Sequence, residues 1–182
     1  MTRFISLPGI GGSGPDHWQT HWEQQDSRIT RFVPTHWDTP DLDDWCAALE
    51  RAVMAAAEPP VLVAHSLACL LVAHWAARSR RPVRAALLVS VPDPAAACFP
   101  VEARSFAGAP DARLPFPAVM VASSNDPFAT LDYARARSAA WGARLVEAGA
   151  LGHINGKSGL GAWPEGHALL MQIAARGVAA PA

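Results

Sequence analysis

A serine in a tight strand-to-helix turn is the first feature of this sequence that could do chemistry. The apolar run 61–64 predicts a buried strand, and the apolar run from residue 67 to about 78 predicts a buried helix. Ser66 stands between them, with the small residues Ala64 and Ala68 two positions before and after it. A nucleophile elbow has this shape, although its usual form G-x-S-x-G carries glycines at those two positions. We therefore expect Ser66 to be a nucleophile; the alternative is a plain helix N-cap.

A serine hydroxyl is a weak nucleophile and needs a base held in place by an acid. His153 follows the last predicted strand, and Asp126 follows the fifth. Both should therefore lie at the sheet edge that carries Ser66. The chain order Ser, Asp, His is that of hydrolases built on such an elbow. Asp93, after the fourth predicted strand, remains the alternative acid.

The other histidines fit this chemistry less well. The side chain of His65 should point away across the turn. His17 and His21 stand four residues apart, a spacing that can hold a metal ion, but no third ligand is evident. We expect these two on a helix surface, and we expect no metal.

A glycine-rich loop, residues 8–15, follows the first predicted strand and could complete an oxyanion hole. One donor should be the backbone N–H of Leu67, at the positive end of the elbow helix. The second should come from the loop, from Ile10 or alternatively Gly11, because glycine lets the backbone approach a substrate closely.

The same loop also fits a dinucleotide fingerprint, Gly9-x-Gly11-x-x-Gly14, with Asp38 after the second strand. This alternative leaves Ser66, Asp126 and His153 unexplained. We therefore expect no cofactor.

Four aromatic residues could line an apolar acyl pocket: Trp163, Phe99, Phe106 and Phe116. Trp163 lies near His153 in sequence, and the three phenylalanines lie in a long proline-rich connection. Ordinary core packing is the alternative for all four.

Strands and helices alternate along the chain, which predicts an α/β fold with a mostly parallel sheet covered on both faces. The predicted strands are residues 4–7, 31–33, 61–64, 84–91, 119–122 and 144–147. The predicted helices begin at residues 16, 42, 67, 127 and 164.

Composition limits the classes of function. The 182 residues suggest one domain, 1–182, and the net charge of −1 gives no indication of a nucleic-acid partner. Three cysteines without metal spacing suit a reducing cytoplasm. The first residues are too short an apolar run for a signal peptide, and no run reaches transmembrane length, so we expect a cytoplasmic protein without a membrane partner.

Two longer motifs, together with the elbow and Asn125-Asp126-Pro127, carry a resemblance to a known family. The start reads Leu7-Pro8-Gly9-Ile10-Gly11-Gly12-Ser13-Gly14-Pro15-Asp16-His17-Trp18-Gln19, and the tail holds Gly152-His153-Ile154-Asn155 and Trp163-Pro164-Glu165-Gly166. The sequence resembles the small serine hydrolases related to YdeN and to retinoblastoma-binding protein 9. That resemblance implies a three-layer α/β-hydrolase fold, strand order 2-1-3-4-5-6, without a large lid. It also implies a triad of Ser66, Asp126 and His153.

These observations favour a carboxylesterase-like enzyme that acts on small esters through an acyl-enzyme on Ser66. Thioesters and amides are further candidates, and the oligomeric state is left open. The alternative function is an interaction protein that keeps the hydrolase fold, as the binding-protein member of the family suggests.

Overall fold

A parallel sheet forms the centre of this computed structural model, which describes residues 1–176. Within those residues its strands lie in the order β2-β1-β3-β4-β5-β6, and each neighbouring pair is parallel. The strands are β1 Phe4–Leu7, β2 Ile29–Arg31, β3 Val61–His65, β4 Ala85–Val89, β5 Ala118–Ala122 and β6 Arg144–Glu147. This confirms the predicted α/β class and strand order. The order reverses between β1 and β3, and in open α/β sheets ligands bind at such a switch point.

Helices cover both faces of the sheet. They are α1 Trp18–Gln25, α2 Leu42–Ala55, α3 Leu67–Arg78, α4 Leu131–Trp141 and α5 Pro164–Arg176, with short 3₁₀ helices at Val101–Phe106 and Gly156–Ser158. Side chains alternate between two cores along β3, β4 and β5. Leu62 and Ala64 of β3 join the core under α2, α3 and α4, whereas Val61 and Val63 join the core under α1 and α5. Strands covered on both faces must be apolar throughout, which explains the continuous apolar runs in the sequence.

Some element boundaries differ from the prediction for local reasons. β2 spans Ile29–Arg31 and not the predicted residues 31–33, so it overlaps the prediction at Arg31. The helix predicted from residue 127 begins at Leu131, because the Asp126 carboxylate accepts the Phe128 N–H (2.9 Å) in a turn and Thr130 is the cap that accepts the Tyr133 N–H (3.1 Å). β4 stops at Val89, because Ser90 has a left-handed φ of 54°.

Among residues 1–176, no helix is both long enough and apolar enough to cross a lipid bilayer.

Candidate active site

Ser66 lies on a strained turn between β3 and α3. Its backbone has φ 55° and ψ −125°, a region that L-residues avoid. Its position is that of a helix N-cap, yet within the described chain its side chain makes no capping hydrogen bond, so the simple N-cap alternative is wrong. The turn leaves the hydroxyl available to other partners.

His153 provides that partner. The Ser66 hydroxyl donates to His153 Nε2 at 2.8 Å. On the other side of the ring, Nδ1–H donates to Asp126, 2.8 Å from Oδ1 and 2.9 Å from Oδ2. The His153 and Asp126 side chains are both buried. The alternative acid, Asp93, instead accepts the Ala95 N–H at 2.8 Å.

Two polar residues to which the sequence analysis gave no role hold the Asp126 loop against the His153 loop. Asn125 Oδ1 accepts the Gly152 N–H at 2.7 Å, and Ser123 Oγ accepts the Leu151 N–H at 2.9 Å. The Ser123 hydroxyl also donates to Asn125 Oδ1. Their signal in the sequence was the polar run directly before Asp126, at the end of a buried strand.

Helix α1 holds the chain that follows His153 in place through side-chain hydrogen bonds. Trp18 Nε1–H donates to the Ile154 carbonyl at 2.8 Å, and Trp22 Nε1–H donates to the Ala162 carbonyl at 2.5 Å. Buried Gln19 donates to the Val63 carbonyl of β3 at 3.0 Å. The two tryptophan bonds join the starting motif to the tail motif.

The geometry favours Ile10 and Leu67 as the oxyanion donors. Both residues line the pocket beside Ser66. Within residues 1–176, neither backbone N–H is engaged in a turn, loop or side-chain hydrogen bond. Gly11 was the alternative donor, but its N–H donates to the Trp37 carbonyl at 3.3 Å, so we correct that assignment.

Gly9 is where the loop comes closest to the elbow. A Cβ at Gly9 would lie 3.0 Å from Ser66 Cβ, 3.2 Å from the His65 carbonyl oxygen and 3.4 Å from Leu67 N. The close packing against Ser66 therefore explains the first glycine of the dinucleotide-like pattern without a bound nucleotide.

We expect Gly9→Ala to lower kcat by about 10- to 100-fold, because the new methyl group must displace Ser66 or the Leu67 N–H by a few tenths of an ångström. Gly108→Ala is the control, because Gly108 does not line the pocket beside Ser66 and, among residues 1–176, no atom outside its chain neighbours lies within 4 Å of a Cβ there. Steady-state ester hydrolysis measures both. Equal kcat in the two variants would contradict the tight contact.

The pocket beside Ser66 has a volume of about 680 Å³. Its apolar wall includes Phe99, Pro92, Pro100 and Phe128. Phe128, which the sequence analysis missed, also packs on the His153 ring with centroids 4.5 Å apart.

Three of the four aromatic residues predicted for the pocket lie in the core instead. Phe106 is fully buried and packs edge-on against Trp45, with ring centroids 5.4 Å apart. Phe116 is buried in the same core. Trp163 lies under the opposite face of the sheet, stacked on Trp22. Of the four predicted residues, Phe99 lines the pocket, because the other three side chains are buried in the cores on the two faces of the sheet.

The model of the family described as "Serine hydrolase" matches residues 4–172. The chain belongs to the serine hydrolase family. No curated protein shows significant sequence similarity to it.

Solved structures share the fold of this chain. A YdeN-like hydrolase of Pectobacterium atrosepticum superposes with a TM-score of 0.88 at 27% identity, over 98% of this chain and 94% of that one. The YdeN protein of B. subtilis has a TM-score of 0.79 at 17% identity, over 97% of this chain and 100% of that one. The carboxylesterase CesB of Bacillus subtilis has a TM-score of 0.65 at 11% identity, over 97% and 85%. The expected likeness to YdeN is confirmed; the relation to retinoblastoma-binding protein 9 stays a prediction.

Two further histidines of this serine hydrolase lie beside the site, in places the sequence analysis did not expect. His17 is buried as the N-cap of α1, where its Nδ1 accepts the Gln19 N–H at 3.2 Å, rather than on a helix surface. The His65 ring does not point away: it packs edge-on against His153, with centroids 5.0 Å apart.

Burial is the main cause of the low pKa of both histidine rings. Burial, with smaller effects of the Arg31 charge and of neighbouring histidines, lowers the pKa of His17 from 6.5 to about 4. Burial likewise holds the pKa of His65 well below 6.5, assisted by the neighbouring histidines. Both rings are therefore neutral near pH 7.

We expect the serine hydrolase to lose stability as the pH falls from about 6.5 to 4. In that window His17 binds a proton in the unfolded chain but not in the folded chain, so a falling pH favours unfolding. Above about pH 6.5 His17 is neutral in both states and does not affect the free energy of unfolding. Over this window the shifted pKa of His17 lowers the free energy of unfolding by roughly 3 kcal/mol in total. His17→Asn keeps a capping acceptor but removes the ring, so its free energy of unfolding should fall less over the same window. Urea titrations at a series of pH values test this, and an identical pH dependence in both proteins would contradict it.

Proposed function

We propose that this serine hydrolase cleaves small carboxylic esters through an acyl-enzyme on Ser66, in the manner of a carboxylesterase. The observation that carries the proposal is the continuous chain from the Ser66 hydroxyl through His153 to Asp126, with contacts of 2.8 Å on each side of the ring. A hydroxyl aligned on a carboxylate-bound imidazole is suited to nucleophilic attack.

The proposed reaction has two halves. His153 takes the proton of the Ser66 hydroxyl while the Ser66 oxygen attacks the ester carbonyl. The backbone N–H groups of Leu67 and Ile10 stabilise the oxyanion of the tetrahedral intermediate. Asp126 stabilises the resulting imidazolium. His153 then protonates the leaving alcohol, and in the second half it activates a water molecule that releases the acid from Ser66.

The pocket supports a small substrate with an apolar acyl chain. Its volume of about 680 Å³ lies within the usual range for small-molecule sites. Phe99 and its proline neighbours offer apolar contact, whereas the histidines and the glycine loop provide the polar side. CesB shares the fold of this chain, and the ester chemistry itself is inferred from the site.

A fluorophosphonate probe and a graded series of p-nitrophenyl esters, from acetate to octanoate, test the proposal. We expect covalent labelling of the wild-type protein and faster hydrolysis of the short esters. A folded protein that is neither labelled nor active on any ester of the series would overturn the proposal, and would favour the interaction-protein alternative.

A further inference from the structure

The backbone of His153 and Ile154 is held by two buried ring N–H groups from outside their loop. His65 Nε2–H donates to the His153 carbonyl at 2.9 Å, and Trp18 Nε1–H donates to the next carbonyl, that of Ile154, at 2.8 Å. Ile154 has φ 47°, a left-handed conformation that is unfavourable for a β-branched residue. Such a conformation persists only where its surroundings fix it.

His65 connects the strand that carries Ser66 to the backbone of His153. It is the last residue of β3 and directly precedes Ser66. Its backbone therefore carries the nucleophile, while its side chain bonds to the backbone of the base. The link spans 88 residues of sequence and is independent of Asp126, which bonds to Nδ1 of the His153 ring.

The bond to a carbonyl also fixes the proton of the His65 ring. A carbonyl oxygen only accepts, so Nε2 carries the hydrogen and, in a neutral ring, Nδ1 is bare. A positive charge here would lie next to the His153 ring and disfavour the imidazolium that the proposed reaction needs. Burial keeps the pKa of His65 low, so the ring donates without adding charge.

We propose that His65 is a positioning residue: its Nε2–H fixes the backbone of His153, so that the imidazole meets both Ser66 and Asp126. This inference rests on the proposed function, because it assigns His65 a role in the same reaction. His65 acts through His153 and exchanges no proton with the substrate.

Two variants of similar volume separate the donor from the packing. His65→Met fills the space without an N–H, whereas His65→Gln keeps an N–H donor. With p-nitrophenyl acetate we expect His65→Met to lower kcat by about 10- to 100-fold with little change in KM, and His65→Gln to stay within about threefold of wild type. Unchanged kcat in folded His65→Met, or equal impairment of both folded variants, would overturn the proposal.

A measurement on the wild-type protein covers the case in which a variant does not fold. Long-range ¹H–¹⁵N NMR of the histidine rings reports the tautomer and charge of each. We expect the His65 ring to be in the Nε2–H form and not to titrate near neutral pH. The buried His17 ring should behave in the same way, and the contact of His65 with the His153 ring distinguishes the two. A His65 ring that titrates there, or that carries its proton on Nδ1, would overturn the inference. The wild-type labelling and ester assays judge the proposed function separately, since neither depends on His65 being altered.

Discussion

Replacing Ser66 by alanine is expected to lower kcat by about 10⁶-fold and to abolish fluorophosphonate labelling. The substitution removes the one oxygen that forms the proposed acyl-enzyme, and the oxyanion donors cannot replace it. Intact-mass spectrometry after labelling and ester kinetics measure the two effects. Labelling of Ser66→Ala at the wild-type rate would show that the nucleophile is another residue.

Ser66→Gly is the matched companion variant. It is equally unable to form the acyl-enzyme, but glycine adopts φ 55° without the steric cost that a Cβ incurs. After its entropic cost is subtracted, we expect it to be more stable than Ser66→Ala by about 1 kcal/mol in urea unfolding. A stability equal to or below that of Ser66→Ala would show that the turn stores little strain.

Asp126→Asn is expected to lower kcat by about 10⁴-fold with little change in fold. The amide of asparagine can donate to His153 Nδ1, and the proton of the ring then moves to Nε2. In that tautomer Nε2 cannot accept the hydrogen that the Ser66 hydroxyl donates across 2.8 Å in the native protein. Because the substrate does not contact Asp126 in the proposed reaction, KM should change far less than kcat.

Asp93→Asn is the matched control for this prediction. Asp93 also follows a strand at the same sheet edge, and its bond to the Ala95 N–H needs only the acceptor oxygen that asparagine retains. We expect wild-type kcat. The reverse pattern, with Asp93→Asn inactive and Asp126→Asn active, would require a different acid.

The elbow tolerates alanine at two positions where glycine is usual. Ala64 and Ala68 are both fully buried, and neither has a positive φ. The strain lies at Ser66 itself, and the close approach is made by Gly9 from the neighbouring loop. The glycine that matters most for this turn is therefore distant in sequence from the serine.

Much of the fold was predictable because its signals are local. Apolar runs of strand length, separated by helical patterns, predicted the alternation of elements and the parallel sheet. The bounds of β1 and β6 and the first residue of α5 agree with the prediction. Boundaries shifted where a side chain bonded to a nearby backbone group, as Asp126 does before α4, because propensity alone does not decide which turn forms.

The sequence by itself determined the candidate residues and their order, Ser66, Asp126 and His153, since each follows a buried strand at one edge of a parallel sheet. Tertiary structure alone places Asp126, rather than Asp93, against the His153 ring, because the contact joins residues 27 positions apart in sequence. It also placed Phe99 in the pocket and Phe106 in the core, and it turned His65 toward His153. Composition and periodicity identify an apolar or polar side chain, but only the packed chain determines which neighbours it contacts.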